Sequence, residues 1–63
     1  MTDLVTTPNI TDADDFYADL LALHDSHSKE QSDAINARLI LLLANHIGDR
    51  NVLAKAMIEA AEG

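Results

Sequence analysis

Three histidines are the side chains of this chain best suited to bind a metal ion. His24 and His27 are spaced i, i+3, as neighbours on one helix face are, and His46 follows on a later segment. A catalytic zinc site needs three converging ligands and an open position, and no His-Glu-x-x-His motif occurs. The carboxylates able to complete a ligand set are Asp19, Asp25 and Asp49. Because His27 falls in a predicted turn, we interpret His24 and His46 as amphipathic residues at the edge of the core and expect no metal site.

Acidic residues cluster near the start of the chain, at Asp12, Asp14, Asp15 and Asp19. The cluster lacks the Asp-x-Asp-x-Asp-Gly pattern of a calcium loop, and one short helix cannot enclose carboxylates in a dry pocket for acid–base catalysis. We expect these acids to cap and solvate a helix, with a docking patch for a basic partner as the alternative. The chain has no cysteine, and no serine has an identifiable histidine and acid partner. The sequence therefore predicts no catalytic residue, no cofactor and no enzyme activity.

The length of the chain makes a stable isolated fold difficult. Its 63 residues are few enough that folding buries only about 60% of the surface of the unfolded chain. Small proteins usually add disulfides, a metal or a partner chain to such a core, and the absence of cysteine excludes disulfides. The apolar residues are mostly leucine, isoleucine and alanine, with Phe16 and Tyr17 the only aromatic residues, which is typical of packed helices. A second chain is therefore the expected stabiliser.

The charge balance excludes several classes of partner. Eleven acidic residues against four basic ones give a formal net charge of −7, whereas DNA and anionic membrane surfaces attract the opposite sign. The longest apolar run, residues 39–44, is far shorter than the roughly 20 residues that span a bilayer, and the first residues do not resemble a signal peptide. We expect an acidic, soluble, cytoplasmic protein of bacterial type, without a nucleic-acid or membrane partner.

Helical spacing and capping residues predict an all-α three-helix bundle with short loops. Residues 1–10 show no periodicity and are expected to form a flexible N-terminal arm, leaving residues 11–63 as the three-helix domain. A helix over about 12–25 begins at a Thr11 or Asp12 cap, and a second over 29–47 begins at a capping box from Ser28 to Gln31. Gly48 ends that helix, and the third covers about 50–61. The expected intramolecular core is Phe16, Leu20, Ile35, Leu39, Leu42, Leu43, Leu53 and Met57.

The second predicted helix is apolar on more than one side. Its residues 39–44 are Leu-Ile-Leu-Leu-Leu-Ala, so large aliphatic side chains point well away from the face that two short neighbours can cover. The predicted contact consists of Ile40, Leu41, Ala44 and Ile47, with Arg38 at its rim. The sequence therefore predicts a non-catalytic protein–protein interaction module, either a homodimer or a small accessory subunit. Complete coverage of the second helix by the rest of the chain is the alternative.

A DNA-binding regulator is the second function that the sequence allows. The second and third helices are joined by a turn as short as that of a helix-turn-helix unit, and Arg50, Asn51 and Lys55 lie on the early turns of the third helix, where base-reading residues occur. These residues are few and the surrounding charge is negative, so we place this function, and a metal-binding protein after it, behind the interaction module.

The chain resembles a small family of uncharacterised proteobacterial proteins. The resemblance rests on Asp15-Phe16-Tyr17 and on the leucine-rich stretch of residues 37–49 that ends in Asn45-His46-Ile47-Gly48-Asp49, and it covers about residues 8–60. The family is a domain of unknown function, so it supplies no active-site residue. The resemblance implies an accessory subunit, with a flavin-dependent oxidoreductase as partner.

The Asn-His-Ile-Gly-Asp segment has two interpretations. In the structural one, Asn45 and His46 bond the last carbonyls of the second helix, Gly48 takes a positive φ and Asp49 caps the third helix. In the functional one, His46 and Asp49 project towards a partner or ligand. We favour the structural interpretation, because it accounts for each polar residue.

Overall fold

The computed structural model describes residues 3–63, and within them it contains three helices and no strand. These are α1 (Ala13–Asp25), α2 (Lys29–Ile47) and α3 (Arg50–Glu62). The all-α three-helix fold class predicted from the sequence is confirmed. The observed bounds differ from the predicted ones by one residue at the start of α1 and one at the end of α3.

The start of α1 departs from the expected cap. Asp12 stands at the N-cap position, but its backbone is left-handed, with φ 52° and ψ 53°, and its side chain accepts no capping hydrogen bond. A capping side chain normally reaches the free N–H groups from an extended backbone, so the predicted side-chain cap at Thr11 or Asp12 is wrong. Asp14 and Asp15 lie in the first turn, where the helix dipole favours negative charge.

Both ends of α2 follow the local chemistry of the sequence. The Ser28 hydroxyl accepts from the backbone N–H of Gln31 at 3.2 Å, and the backbone N–H of Ser28 donates to Gln31 Oε1 at 2.9 Å. This reciprocal pair satisfies two donors that the first turn leaves free. At the other end Gly48 adopts φ 75° and its N–H donates to the carbonyl oxygen of Ala44 at 2.9 Å.

Asp49 follows Gly48 directly and caps the start of α3. Its Oδ1 accepts from the backbone N–H groups of Asn51 at 2.9 Å and Val52 at 3.1 Å. One carboxylate thereby satisfies two of the donors at the start of α3, and its charge lies at the positive end of the helix dipole. The junction between α2 and α3 is confined to two residues for this reason.

Residues 3–10 form no helix or strand, and they reach α3. Asp3 Oδ1 lies 3.2 Å from Lys55 Nζ, and Leu4 is half-buried. Val5 and Ile10, by contrast, are exposed. The first described residues of the arm therefore lie against α3.

Burial within the described residues is sparse. Val52, on the apolar face of α3, is the one hydrophobic residue among them that counts as buried, at 8% exposure. Of the predicted core, Leu20, Ile35, Leu39 and Leu53 are half-buried. The assignment of Phe16, Leu42, Leu43 and Met57 to the core is wrong, since Leu42 and Met57 are 69% and 67% exposed and the other two are also exposed.

The overall dimensions explain this exposure. The Cα radius of gyration is 13.3 Å and the principal extents are 40 × 25 × 23 Å, whereas a compact domain of 63 residues is expected to have a radius of gyration of about 10.6 Å. No two helices among residues 3–63 pack along an extended interface. Too few neighbouring side chains are therefore in place to cover the far sides of α2. None of the helices within residues 3–63 has the length and apolar character needed to cross a membrane.

Candidate interaction surface

The predicted contact residues form a largely uncovered surface on α2, here called the α2 surface: Arg38, Ile40, Leu41, Ala44 and Ile47. Leu41 is 70% exposed and Ile40 is 65% exposed, and Ile47 and Arg38 are exposed as well. Ala44 is half-buried. Large aliphatic side chains left in water in this way provide a driving force for association, because covering each one stabilises the assembly by about 1.5–3 kcal/mol.

The apolar surface of α2 extends beyond the predicted residues. Leu42 and Leu43, assigned from their spacing to the core, are exposed beside Leu41. The helical wheel places them nearer the covered side, so periodicity gave no signal that they would be free. The signal that does identify them is the absence of any polar residue from positions 39 to 44. A helix apolar on every side is typical of a helix surrounded by protein.

Charge is distributed unevenly around the α2 surface. Between Asp33 and Asp49 no acidic residue occurs, and Arg38 is the single Lys or Arg. Asp33 itself lies 3.0 Å from Lys29 Nζ in an exposed i, i+4 pair. The chain as a whole carries −7, so its negative charge lies outside the surface that exposes the most aliphatic side chains.

The Asn45-to-Asp49 segment lies at the C-terminal end of the α2 surface. Gly48 and Asp49 perform the structural roles predicted for them, the left-handed helix end and the α3 cap. The predicted bonds from Asn45 and His46 to the last carbonyls of α2 are absent from the described residues, where the N–H of Gly48 bonds Ala44 instead. The glycine backbone reaches that carbonyl directly, which leaves both side chains exposed at the end of α2.

The three histidines have separate surroundings. Nδ1 of His27 donates a hydrogen bond to the carbonyl oxygen of Leu23 at 2.7 Å, since a carbonyl oxygen can only accept. This bond satisfies a carbonyl in the last turn of α1. Nδ1 of His24 is buried without a hydrogen-bond partner among the described residues, and His24 as a whole is half-buried, as expected of a residue at the edge of the core. Residues 3–63 contain no group of three histidine, aspartate or glutamate side chains placed to hold a metal ion.

The three residues proposed for DNA contact have different surroundings. Lys55 pairs with Asp3 of the N-terminal arm, and the backbone N–H of Asn51 bonds the Asp49 cap. Arg50 is exposed at the first position of α3. Among the described residues, Lys55 therefore has a carboxylate partner, whereas Arg50 is in contact with no Asp or Glu.

Comparison with known proteins adds a family but no activity. A family model described as a protein of unknown function (DUF2783) matches residues 4–62. No curated protein and no solved structure matches the chain.

Proposed function

We propose that this chain, which belongs to the DUF2783 family of unknown function, is a non-catalytic protein–protein interaction module that associates through the α2 surface. The observation that supports the proposal is the exposure of Ile40, Leu41 and Ile47 in a chain whose described residues bury a single hydrophobic residue, Val52. Several exposed aliphatic side chains on one helix mark an interaction site in a soluble protein.

Covering the α2 surface would also stabilise the fold of the chain. Each residue that folding orders costs roughly 1–2 kcal/mol of backbone entropy, and one buried hydrophobic residue with a few half-buried ones among those described offsets little of that cost. Covering the α2 surface supplies apolar burial that the isolated chain lacks. Association and stable folding are therefore coupled in this proposal.

Two kinds of partner fit this function. One is a second copy of the chain, and the other is a larger protein to which the chain is an accessory subunit, with a flavin-dependent oxidoreductase implied by the resemblance described above. We further propose that the family is proteobacterial, that its members share the leucine-rich stretch ending at Asp49, and that the protein works in the cytoplasm. The acidic composition disfavours nucleic acid and anionic membranes as partners.

A capture experiment with a matched control tests the proposal. Wild-type chain, Leu41→Lys and Leu21→Lys are immobilised and exposed to extract from the native cell and to a differently tagged copy of the chain. Leu41 and Leu21 are both exposed leucines, but Leu21 lies on α1. We expect Leu41→Lys to abolish retention of at least one protein that wild type and Leu21→Lys both retain. The proposal is overturned if Leu41→Lys changes nothing that is retained.

A further inference from the structure

The accessible surface of the chain is too large for a compact monomer. The chain exposes 5664 Å², whereas a compact monomer of 6.8 kDa is expected to expose about 3,950 Å². The difference, about 1,700 Å², is twice the roughly 800 Å² that each partner buries in an interface of standard size. One further copy therefore covers the excess only in an interface that buries about 3,400 Å² in total, which lies within the roughly 2,000–5,000 Å² of obligate homodimers.

One face of α2 is shaped for close approach of another helix. At 100° per residue, Ala34, Ala37, Leu41 and Ala44 lie within about 80° of one another, on the side opposite the half-buried Ile35 and Leu39. Their spacing of three, four and three residues is that of a coiled-coil seam. Three alanines beside one large leucine allow a second helix to approach closely and to interleave large and small side chains.

Charge permits the second helix to come from an identical chain. Two copies carrying −7 each repel one another unless their acidic residues stay apart. Residues 34–48 contain no acid, so contact through this segment adds no carboxylate of its own to the interface. A basic partner would instead be attracted to the acidic residues of α1, which lie outside the α2 surface.

The direction of pairing follows from the charges at the two ends of α2. Glu30 lies in the first turn of α2, and Arg50 follows its last residue at the start of α3. Antiparallel pairing brings Glu30 of one copy towards Arg50 of the other and opposes the two helix dipoles favourably. Parallel pairing would instead place Glu30 beside Glu30 and Arg38 beside Arg38.

We infer that a second copy of this chain covers the α2 surface, in an antiparallel pair of α2 helices with the two-fold axis close to Leu41. The inference rests on the proposed function and names its partner. Each copy contributes the same face, as a two-fold interface requires. Leu41 lies at the centre of the contact, and Ala34 lies towards its edge.

The oligomeric mass of the purified, untagged chain tests the identity of the partner. We expect a dimer by light scattering and sedimentation for wild type and for Leu21→Lys, and a monomer for Leu41→Lys, whether or not that variant keeps its helical circular dichroism. A monomeric wild type overturns the second-copy inference. The proposed function then fails only if the capture experiment also finds no Leu41-dependent partner.

Single cysteines test the direction of pairing, since the natural chain has none. In the antiparallel pair, residue 41 lies beside its own copy, whereas the two copies of residue 34 are separated by about 21 Å along the helices. A disulfide needs Cα atoms within roughly 7 Å. We therefore expect Leu41→Cys to give a covalent dimer on mild oxidation. Ala34→Cys should give only the background level of covalent dimer. Equal cross-linking of both variants would indicate parallel helices, and failure of Leu41→Cys in a dimeric protein would remove the axis from this position.

Discussion

Gly48, in the junction between α2 and α3, has a backbone conformation that other residues rarely adopt. Its φ of 75° lies in the left-handed region, where a Cβ costs roughly 1–2 kcal/mol. A Cβ at this position would lie 3.8 Å from the carbonyl oxygen of Asn45, which is an ordinary van der Waals contact. The requirement for glycine is thus conformational rather than a matter of space.

Gly48→Ala is expected to lower the free energy of unfolding by roughly 1–2 kcal/mol, because the alanine retains the strained backbone angle. Chemical denaturation at a fixed chain concentration measures the change. Gly63→Ala is the matched control, since Gly63 caps the end of α3 without a positive φ and should leave the stability nearly unchanged. Equal stability of Gly48→Ala and wild type would show that the junction does not hold this angle in solution.

The polar residues of the Asn45-to-Asp49 segment differ in whether their side chains form hydrogen bonds. The Asp49 carboxylate accepts two backbone N–H groups, and such caps typically contribute about 1 kcal/mol. Asn45 and His46 make no hydrogen bond with their side chains within residues 3–63. They are therefore available at the end of the α2 surface, beside Ile47.

Helix α2 is the element on which the proposed function depends. Its capping box and its glycine end fix nineteen residues as one helix, and neither cap depends on contacts with α1 or α3. A helix defined by its own ends can present an apolar face even where its neighbours cover little of it. The result is a rigid support for Ile40 and Leu41, as a binding site built on regular structure requires.

Helix α3 is the element on which the DNA-binding alternative depends. Lys55 is paired with Asp3, and the formal charge of the chain is −7, so phosphates are repelled. We expect no binding to duplex DNA in a salt titration, even at low ionic strength. Binding that weakens with salt and is reduced by Arg50→Gln, but not by Arg38→Gln, would favour the helix-turn-helix function instead.

The chain in its entirety combines defined helices with little shared core. A radius of gyration of 13.3 Å and the single buried hydrophobic residue among those described support the proposal that the chain completes its fold in an assembly. An obligate dimer has no stable folded monomer, so the proposed association makes the stability of the chain depend on its concentration.

Thermal and chemical unfolding of the purified chain should accordingly depend on its concentration. Each tenfold rise in chain concentration is expected to stabilise the dimer by about 1.4 kcal/mol relative to two unfolded chains. Circular dichroism across a hundredfold range of concentration measures the shift of the midpoint. Leu21→Lys serves as the control that should show the same shift as wild type, and a midpoint independent of concentration in wild type would argue against association of identical chains.

Local chemistry along the sequence was enough to predict the helices and much of the α2 surface. Ser28 with Gln31, Gly48 and Asp49 act through bonds to residues no more than four positions away, so their effect is already present in the order of residues. The excess of leucine and isoleucine in residues 39–44 likewise predicted exposed contact residues, since two short helices cannot cover every side of a third.

Burial required the three-dimensional arrangement. Spacing assigned Phe16, Leu42, Leu43 and Met57 to a core, yet all four are exposed, because coverage depends on how closely α1 and α3 approach α2. The left-handed Asp12 and the contact of Asp3 with Lys55 also lay beyond local patterns, since the first puts a non-glycine residue in a region that glycine favours and the second joins residues far apart in the chain. The caps of α2 and α3 are local and follow from the sequence, whereas burial depends on distant neighbours and is decided by the fold.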